Sequence, residues 1–339
     1  PDGITANEAA ANIADLDALP MPAQDHAFRH LALTRGCPGK CAFCGSPRFW
    51  GPKVRTHSAG YFVDQVARQY DRGERFFYVS DDTFTLNRDR VLEVCAGLRE
   101  RCPEARWAAI SRVDRVDAEV LKAMRLAGCV QISYGFESGS DRLRRRLGKR
   151  FDNARAVEAC RLAAACGILP RAYCIYGVPG EDEATLAETL DLLAEARPLA
   201  ALFHVLAVFP GTALWDEAKQ RFGLTDELWL TRGEDILWAQ VDPDMDTEAV
   251  IDHGRRLKLG YHAALPGFAR EVELADDADL APHQADFLSR LGMTFLTGDY
   301  AANPDIPDAH ATAERLFERS LALADDARAA RGLELLSGR

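Results

Sequence analysis

The sequence predicts an α/β fold in which six strands alternate with six helices and build a partial barrel. From about residue 29 to residue 222, short apolar runs alternate with segments of helical periodicity. The runs are nearly all apolar, which is typical of parallel strands that are covered on both faces. Six consecutive βα units are too few for a closed eight-stranded barrel. They fit an open partial barrel, and an open flat sheet is the alternative.

Each element follows from a local pattern. The six apolar runs that we interpret as strands are Phe28–Thr34, Phe76–Ser80, Trp107–Ile110, Val130–Tyr134, Ala172–Tyr176 and Leu202–Phe209. Between them lie segments of helical periodicity, which are Ala59–Tyr70, Arg88–Arg101, Ala118–Leu126, Ala154–Ala165, Glu183–Ala196 and a sixth helix after Gly211. These units place the partial barrel at residues 28–222.

The two ends of the chain have a different character. Residues 1–27 are irregular, and the step Leu19-Pro20-Met21-Pro22 is typical of a linker. After residue 223 the strand signal fades, so we expect residues 223–339 to form a mainly helical extension. Residues 309–337 faintly resemble one tetratricopeptide unit. Because a single such unit does not stand alone, we favour a helical cap on the main domain.

Composition excludes several classes of protein. The 339 residues are 47% hydrophobic and 27% charged with a net charge of −11, which disfavours nucleic acid and anionic membranes as partners. No apolar run reaches the ~20 residues that span a bilayer, and no signal-peptide pattern opens the chain. Nine cysteines, an odd number in a long chain, indicate a reducing cytoplasm and not a disulfide framework.

Three of the cysteines form a tight motif after the first predicted strand. Cys37, Cys41 and Cys44 have the spacing C-x3-C-x2-C, and thiolates at this density bind iron–sulfur clusters or zinc. Three ligands hold three irons of a cubane cluster and leave the fourth iron open to a cosubstrate. A structural zinc site needs a fourth ligand, for which only His57 lies near in sequence. Unliganded thiols are a third alternative, although exposed ones would be prone to oxidation.

This motif, with an aromatic residue before its last cysteine, resembles that of the radical S-adenosylmethionine (SAM) superfamily. The resemblance covers about residues 28–215. It implies an enzyme with a [4Fe–4S] cluster whose open iron is chelated by the amino and carboxylate groups of SAM. One electron from the cluster then cleaves SAM and starts hydrogen abstraction or group transfer. It also implies a small-molecule or peptide substrate and a one-electron reductant such as flavodoxin or ferredoxin.

The resemblance assigns carboxylates at two strand ends to SAM. Asp81 and Asp82 follow the second strand, where the superfamily usually carries Gly-Gly-Glu and holds the SAM ammonium group. The alternative is that one of them caps the following helix. Glu137 ends the fourth strand, where the matching residue accepts hydrogen bonds from the ribose. Its alternative is a carboxylate placed at the start of a helix.

Further SAM contacts are implied near the fifth strand. Arg171 matches the arginine that relatives direct at the SAM carboxylate, and a structural ion pair is its alternative. Gly177, Pro179 and Gly180 lie in the segment whose backbone passes beside the adenine. Phe43 would lie over the adenine edge or simply pack over the cluster.

Other residues have less definite roles. Arg112 follows the third strand and is a lower-ranked candidate for contact with SAM or substrate. The basic run at 142–150 is either a phosphate site or, as we favour, a solvated helix face. Tyr134, Tyr173 and Cys174 are candidates to face the substrate, but strand alternation alone does not decide which of them do.

The chain is most similar to the branch that often carries an N-terminal cobalamin-binding domain. That domain and its Asp-x-His-x-x-Gly signature are absent here, so we expect a fragment or a stand-alone descendant, with cobalamin a possible cofactor. The branch includes methyltransferases, ring-forming enzymes and methylthiotransferases. The last are disfavoured because a second cysteine set and a basic RNA-binding tail are missing. Two alternatives to an enzyme are a non-catalytic iron–sulfur redox sensor and a zinc-structured binding module.

Overall fold

Six parallel strands, placed side by side in the order in which the chain reaches them, form the main sheet. The computed structural model describes residues 11–21, 28–51, 53–232 and 234–338, so most of the predicted linker lies outside the described residues. In chain order the strands are β1 (His30–Leu31), β2 (Thr34–Arg35), β3 (Arg55–Thr56), β4 (Phe76–Val79), β5 (Arg106–Ser111), β6 (Cys129–Glu137), β7 (Leu169–Tyr176), β8 (Ala200–Val205), β9 (Ala207–Val208) and β10 (Ile236–Leu237). The main sheet has the order β1-β4-β5-β6-β7-β8, and β2–β3 and β9–β10 form separate antiparallel pairs.

Helices connect the strands of the main sheet, and further helices follow its last strand. In chain order they are α1 (Ser46–Trp50), α2 (Ala59–Asp71), α3 (Arg88–Arg101), α4 (Ala118–Leu126), α5 (Asp141–Arg146), α6 (Asn153–Ala165), α7 (Glu183–Ala196), α8 (Ala213–Phe222), α9 (Leu228–Thr231), α10 (Trp238–Val241), α11 (Thr247–Arg270), α12 (Ala281–Leu296), α13 (Asp299–Ala302), α14 (Ala309–Leu323) and α15 (Ala327–Ser337). Neighbouring connecting helices pack on one another, from α2 through α3, α4 and α6 to α7. Because right-handed crossovers that always add the next strand on the same side put every helix on one face, the sheet curves into a partial barrel. The predicted α/β partial barrel with a helical extension is confirmed.

The two faces of the main sheet are covered differently. The side chains of its outer face pack against the helices in the largest hydrophobic core. They include Phe77, Val79, Trp107, Ile132 and Ala172. On the inner face, Tyr78, Ile110 and Leu202 are 45%, 37% and 42% exposed. This contrast follows from the period of two along a strand. The sequence pattern suggested cover on both faces, whereas the described residues leave large inner-face side chains open.

Two predicted strands are divided in the structure. The first run gives β1 and β2, because the backbone N–H groups of Leu33 and Thr34 donate to the Asp81 carboxylate. The last run gives β8 and β9. Between them, the Leu206 N–H donates to the Tyr176 carbonyl while its own carbonyl accepts from Trp238. Each of these apolar segments is predicted as a single strand, and hydrogen bonds to distant residues divide it into two.

The C-terminal helices share the main core and close the amino-terminal end of the sheet. Phe287, Leu288 and Leu291 of α12 belong to the same core as the outer face of the sheet. α14 and α15 form a helical hairpin that packs on α12. Among the described residues, no helix has the length and apolar character needed to cross a membrane.

Candidate active site

The cysteine loop lies between β2 and α1, at the edge where the parallel strands end. Cys37, Cys41 and Cys44 are partly exposed, and none of the nine cysteines forms a disulfide. A Cβ on Gly39 would lie 3.3 Å from the Cys37 sulfur and 3.8 Å from the Cys41 sulfur. A side chain at position 39 would therefore lie against two of the thiols, and glycine leaves that space open. The other six cysteines are buried, because a free cysteine packs as a small apolar residue.

Two backbone hydrogen bonds and one close backbone contact hold this loop. The Ala42 N–H donates to the Leu147 carbonyl at 2.9 Å, and the Leu214 N–H donates to the Ala42 carbonyl at 2.9 Å. A Cβ on Gly148 would lie 2.6 Å from the Lys40 carbonyl oxygen, so the chain after α5 passes directly against the loop. The cysteines are thus supported by segments more than a hundred residues away in sequence.

The two aspartates after β4 occupy different environments. Asp81 is 1% exposed, and its carboxylate accepts from the N–H of Leu33 at 2.7 Å and from the N–H and hydroxyl of Thr34 at 3.0 and 2.8 Å. Burial raises the pKa of Asp81 to about 6 despite these donors. Both of its oxygens are engaged in holding the strand that leads to the cysteines. Asp82 is exposed and accepts a hydrogen bond from the Ser46 hydroxyl at the start of α1.

Neither aspartate caps the following helix. The cap of α3 is Asn87, whose side chain accepts from the N–H of Arg90. Thr83, the residue after Asp82, lies with its hydroxyl 3.7 Å from the Cys37 sulfur. Burial raises the pKa of the Cys44 thiol, a backbone hydrogen bond from Ser46 opposes that rise, and the nearby charge of Asp82 adds to it. The exposed carboxylate of this pair is therefore the one beside the cysteine loop.

Glu137 ends β6 next to a buried lysine that the sequence did not single out. Its backbone has a φ of 61°, an uncommon value for a residue other than glycine, and it follows a register shift in the ladder with β7. Lys149 Nζ lies 2.8 Å from Glu137 Oε1 and 3.3 Å from the Gly135 carbonyl. The lysine side chain is 13% exposed and that of Glu137 is 7% exposed. The pair holds the carboxylate in one orientation at the strand end.

The basic run at 142–150 is only partly the solvated helix face that we expected. Arg144 is 1% exposed and donates to the Ser138 carbonyl and to Asp141. Lys149 turns inward because α5 has already ended and Gly148, at φ +74°, reverses the chain. That glycine is the one sequence signal that separates Lys149 from the exposed arginines before it.

Two cationic side chains lie beside the thiols. The Arg112 guanidinium binds Asp114 through two 2.8 Å hydrogen bonds, and its Nη1 is 3.6 Å from the position of a Gly39 Cβ. Burial raises the pKa of the Cys41 thiol, and the nearby Lys149 ammonium opposes that rise. Burial alone would lower the pKa of Lys149, but Glu137 and Cys41 outweigh it and raise that pKa. The positive charges of Arg112 and Lys149 therefore lie next to the cysteine loop.

The glycine turn after β7 is held on several sides. Glu181 accepts from the Gly177 N–H at 2.8 Å, and Arg142 donates to the Gly180 carbonyl at 2.7 Å. Phe43 is partly buried and packs on a second hydrophobic cluster that includes Val178 of this turn. Pro179 is partly exposed at the tip of the turn. The cysteine loop and the glycine turn thus meet through shared apolar packing.

The structure separates Arg171 from the other predicted site residues. Arg171 is the third residue of β7, and its Nη2 donates to Gln131 Oε1 at 2.8 Å while its buried Nε has no partner among the described residues. Tyr176, at the end of β7, is five residues further along the strand, a distance of about 16 Å. Among the described residues no carboxylate pairs with Arg171, so the alternative ion pair is not formed. The depth of the side chain in the barrel argues against the implied SAM contact, which stays a prediction.

His57 is not placed as a fourth metal ligand. Its Nδ1 lies 2.9 Å from Asp17 Oδ1, and its ring stacks on Tyr61 with centroids 4.3 Å apart. Among the described residues, no three His, Cys, Asp or Glu side chains are grouped to hold a single metal ion. A cubane cluster makes a different demand, since each cysteine binds a separate iron.

Of the three substrate-facing candidates, only Tyr173 faces the inner side of the barrel. Its ring meets the ring of His204 edge-on with centroids 6.0 Å apart. Tyr134 and Cys174 are 0% and 1% exposed, and both lie near Cys160 of α6 on the outer face. Strand alternation allowed either arrangement, and packing against α6 decides it.

An aromatic pair lines the opposite side of the inner face. His30 stacks on Tyr78 with ring centroids 4.9 Å apart, and its Nδ1 lies 3.0 Å from the Ser80 hydroxyl. His30 is the first residue of β1 and Tyr78 is the third residue of β4. The inner face therefore offers imidazole and phenol groups on the two strands that lead to the cysteine loop and to Asp81.

Comparisons with known proteins agree with this geometry. Residues 31–193 match the radical SAM superfamily. An uncharacterized methyltransferase of Pyrococcus horikoshii is 29% identical over 218 residues, which are 61% of this chain and 48% of that protein. The anaerobic magnesium-protoporphyrin IX monomethyl ester cyclase of Cereibacter sphaeroides is 31% identical over 199 residues, 57% of this chain and 32% of that protein. The chain thus spans less than half the length of either relative.

A solved structure shares the fold. The radical SAM methyltransferase TsrM of Kitasatospora setae, with cobalamin and a [4Fe–4S] cluster bound, has a TM-score of 0.58 and 16% identity, over 88% of this chain and 62% of that one. This similarity extends beyond the matched domain into the C-terminal helices. The cysteine loop and the ends of β4 to β7 lie within residues 31–193, the part of the chain that matches the radical SAM superfamily.

Proposed function

We propose that this chain binds a [4Fe–4S] cluster and SAM at the carboxyl edge of its sheet and cleaves SAM reductively to act on a substrate held against the inner face. The observation that carries the proposal is the cysteine loop itself. Three partly exposed thiols lie at one strand end, and an exposed carboxylate, a buried Glu–Lys pair and a glycine turn lie at the neighbouring ends.

The residues present fit such a cluster. Cys37, Cys41 and Cys44 would hold it, and Gly39 leaves the space between two sulfurs free of a side chain. Arg112 and Lys149 offset the negative charge that three thiolates bring into a partly buried site. A bound cluster would supply the single electron that breaks a carbon–sulfur bond of SAM.

Different residues around the cysteine loop suit different groups of SAM. Asp82 is exposed near Cys44 and suits the ammonium group, whereas Asp81 acts through the loop that it holds. Glu137, fixed by Lys149, suits the ribose hydroxyls. The Gly177–Gly180 turn and Phe43 suit the adenine. For the SAM carboxylate we assign Arg112 or Lys149 in place of Arg171, because only the first two lie beside the thiols.

The inner face is the place for the substrate, which we expect to be a small molecule or peptide. Tyr78, Ile110 and Leu202 expose large surfaces on this face. A dry apolar wall limits side reactions of a radical. The related methyltransferase and cyclase favour a carbon-centred reaction, and methyl transfer is the outcome that we test first. The electron would come from a one-electron donor such as flavodoxin or ferredoxin.

Anaerobic reconstitution with iron, sulfide, reductant and SAM tests the proposal. We expect about four irons and four sulfides per chain, and formation of 5′-deoxyadenosine or S-adenosylhomocysteine measured by chromatography. S-adenosylhomocysteine would indicate methyl transfer. Cys41→Ala should lose the cluster and all SAM cleavage. Without a cluster, its thermal unfolding temperature should match that of the cluster-free wild type, because the thiol is only partly buried. Cys166→Ala, a buried cysteine far from the loop, should keep its iron.

Other results would contradict the proposal in different ways. An intact cluster that never cleaves SAM would favour the redox sensor. Zinc without sulfide would favour the zinc-structured module. Full turnover by Cys41→Ala would reject the ligand assignment.

A further inference from the structure

One helix of the C-terminal region is hydrogen-bonded to the glycine turn. Glu181 Oε2 accepts from the Gly177 N–H at 2.8 Å and lies 2.9 Å from His253 Nδ1 of α11. Because a carboxylate only accepts hydrogen bonds, Nδ1 is the protonated nitrogen of this imidazole. The side chain of Glu181 is 5% exposed and that of His253 is 16% exposed, so little water reaches the pair and each group depends on protein partners for its hydrogen bonds.

The same turn of α11 packs against the backbone beside Glu181. A Cβ on Gly177 would lie 2.8 Å from Val250 Cγ1, and a Cβ on Gly254 would overlap the Tyr176 ring. Val250, His253 and Gly254 thus lie on one side of the helix and contact the end of β7. Small residues on both sides are required because the two backbones approach so closely.

This contact joins parts of the chain that the family match separates. The matched domain ends at residue 193, and α11 begins at Thr247. The glycine turn has no other hydrogen bond to the C-terminal region among the described residues, since its remaining partner, Arg142, comes from α5. The position of the turn therefore depends on a helix outside the domain that carries the cysteines.

We propose that α11 is part of the SAM site, and that His253 is a positioning residue that holds the Gly177–Gly180 turn through Glu181. The proposal rests on the function proposed above. It gives the C-terminal region a definite role, which is to set the shape of the adenine pocket and not only to cap the barrel.

SAM affinity of the reconstituted full chain tests this role. By equilibrium dialysis with radiolabelled SAM, His253→Ala should raise the dissociation constant roughly tenfold or more, the loss expected when a hydrogen bond to a carboxylate is removed. His253→Asn should restore most of the affinity, because its amide nitrogen can occupy the place of Nδ1. Ile251→Ala, which alters an exposed residue of the same helix, should bind as the wild type does.

Iron content and the electron paramagnetic resonance spectrum of the reduced cluster should be the same in all variants, because His253 contacts no cysteine. Wild-type affinity in His253→Ala would overturn the inference alone, and absence of SAM binding by the wild type would overturn the proposed function with it. If His253→Asn binds as weakly as His253→Ala, the effect belongs to packing and the hydrogen-bond role is rejected.

Discussion

Positive charge beside the thiols is the residue-level feature with the most direct chemical consequence. Lys149 is nearly buried between Glu137 and the cysteine loop, and Arg112 approaches the same loop from β5. A nearby cation favours the more negative, reduced form of a cluster, because net charge and burial set its reduction potential.

Removing the lysine charge should make the cluster harder to reduce. For Lys149→Met we expect the midpoint potential to fall by on the order of 50 mV, about a tenfold change in a one-electron equilibrium. A redox titration followed by electron paramagnetic resonance, done without SAM, measures it. Arg150→Met removes a neighbouring but exposed charge and should leave the potential unchanged. Equal potentials in wild type and Lys149→Met would contradict this role of the lysine.

Glu137 gives a second test at the residue scale. Glu137→Ala should weaken SAM binding by about 1–3 kcal/mol, since the ribose hydroxyls would lose their acceptor and Lys149 its partner. Equilibrium dialysis on the reconstituted protein checks it. Glu188→Ala alters an exposed carboxylate on α7 and serves as the control. Unchanged affinity in Glu137→Ala would reject the ribose role.

At the scale of elements, the C-terminal helices pack through glycines that face one aromatic ring. Phe317 of α14 is fully buried, and a Cβ on Gly292 of α12 or on Gly332 of α15 would overlap its ring. The three helices thus approach more closely than residues with side chains would allow.

Gly332→Ala tests this packing, because the overlap with the ring and the helix propensity of alanine should change the stability in opposite directions. Propensity alone predicts about 1 kcal/mol of stabilisation, but overlap with an immobile ring should destabilise by about 1–3 kcal/mol. Gly267→Ala in α11 has open space around its Cβ and should be neutral or stabilising. Thermal and urea unfolding measure both variants. If Gly332→Ala is also stabilising, the ring has room to move and the close contact is not needed.

At the scale of the whole molecule, a buried charge cluster fastens α12 to α4 of the main domain. Arg125 is 1% exposed, and its Nη2 donates to the His283 carbonyl at 2.6 Å and to Asp286 at 2.9 Å. Arg290 and Arg328 also donate to Asp286. Burial alone would raise the pKa of Asp286, but Arg290 and Arg125 outweigh it and hold that pKa below its ordinary value.

Asp286→Ala should therefore destabilise the whole protein. It leaves a buried arginine without its carboxylate, which costs about 3–5 kcal/mol. Urea unfolding measures the change. Asp279→Ala removes an exposed partner of Lys122 and should cost less than about 1 kcal/mol. A small effect of Asp286→Ala would show that other contacts hold the extension in place.

The pH dependence has a definite sign. Because the folded pKa of Asp286 lies below the unfolded value of 3.8, its stabilisation is present above about pH 4 and is lost on acidification. The difference in free energy of unfolding between the wild type and Asp286→Ala should therefore become smaller as the pH falls below 4. A difference that does not change with pH would contradict the assignment.

The sequence by itself determined the alternation of strands and helices and the cysteine motif. α3, α4 and α7 have the predicted bounds, because their caps and periodicity are local properties. The motif needed no fold to be recognised, since the chemistry of three closely spaced thiols depends only on spacing. The roles of Asp82, Glu137 and the glycine turn at the site stay predictions until SAM binding is measured.

Tertiary structure alone decided which side chains meet at that edge. It turned Asp81 into a support for the loop, placed Arg171 deep in the barrel, and brought Lys149 and His253 to the site from segments with no motif. Burial and hydrogen-bond partners arise only when distant elements pack together, so no local pattern encodes them. For the same reason the exposed inner face, on which the choice of substrate depends, could be found only in the folded chain.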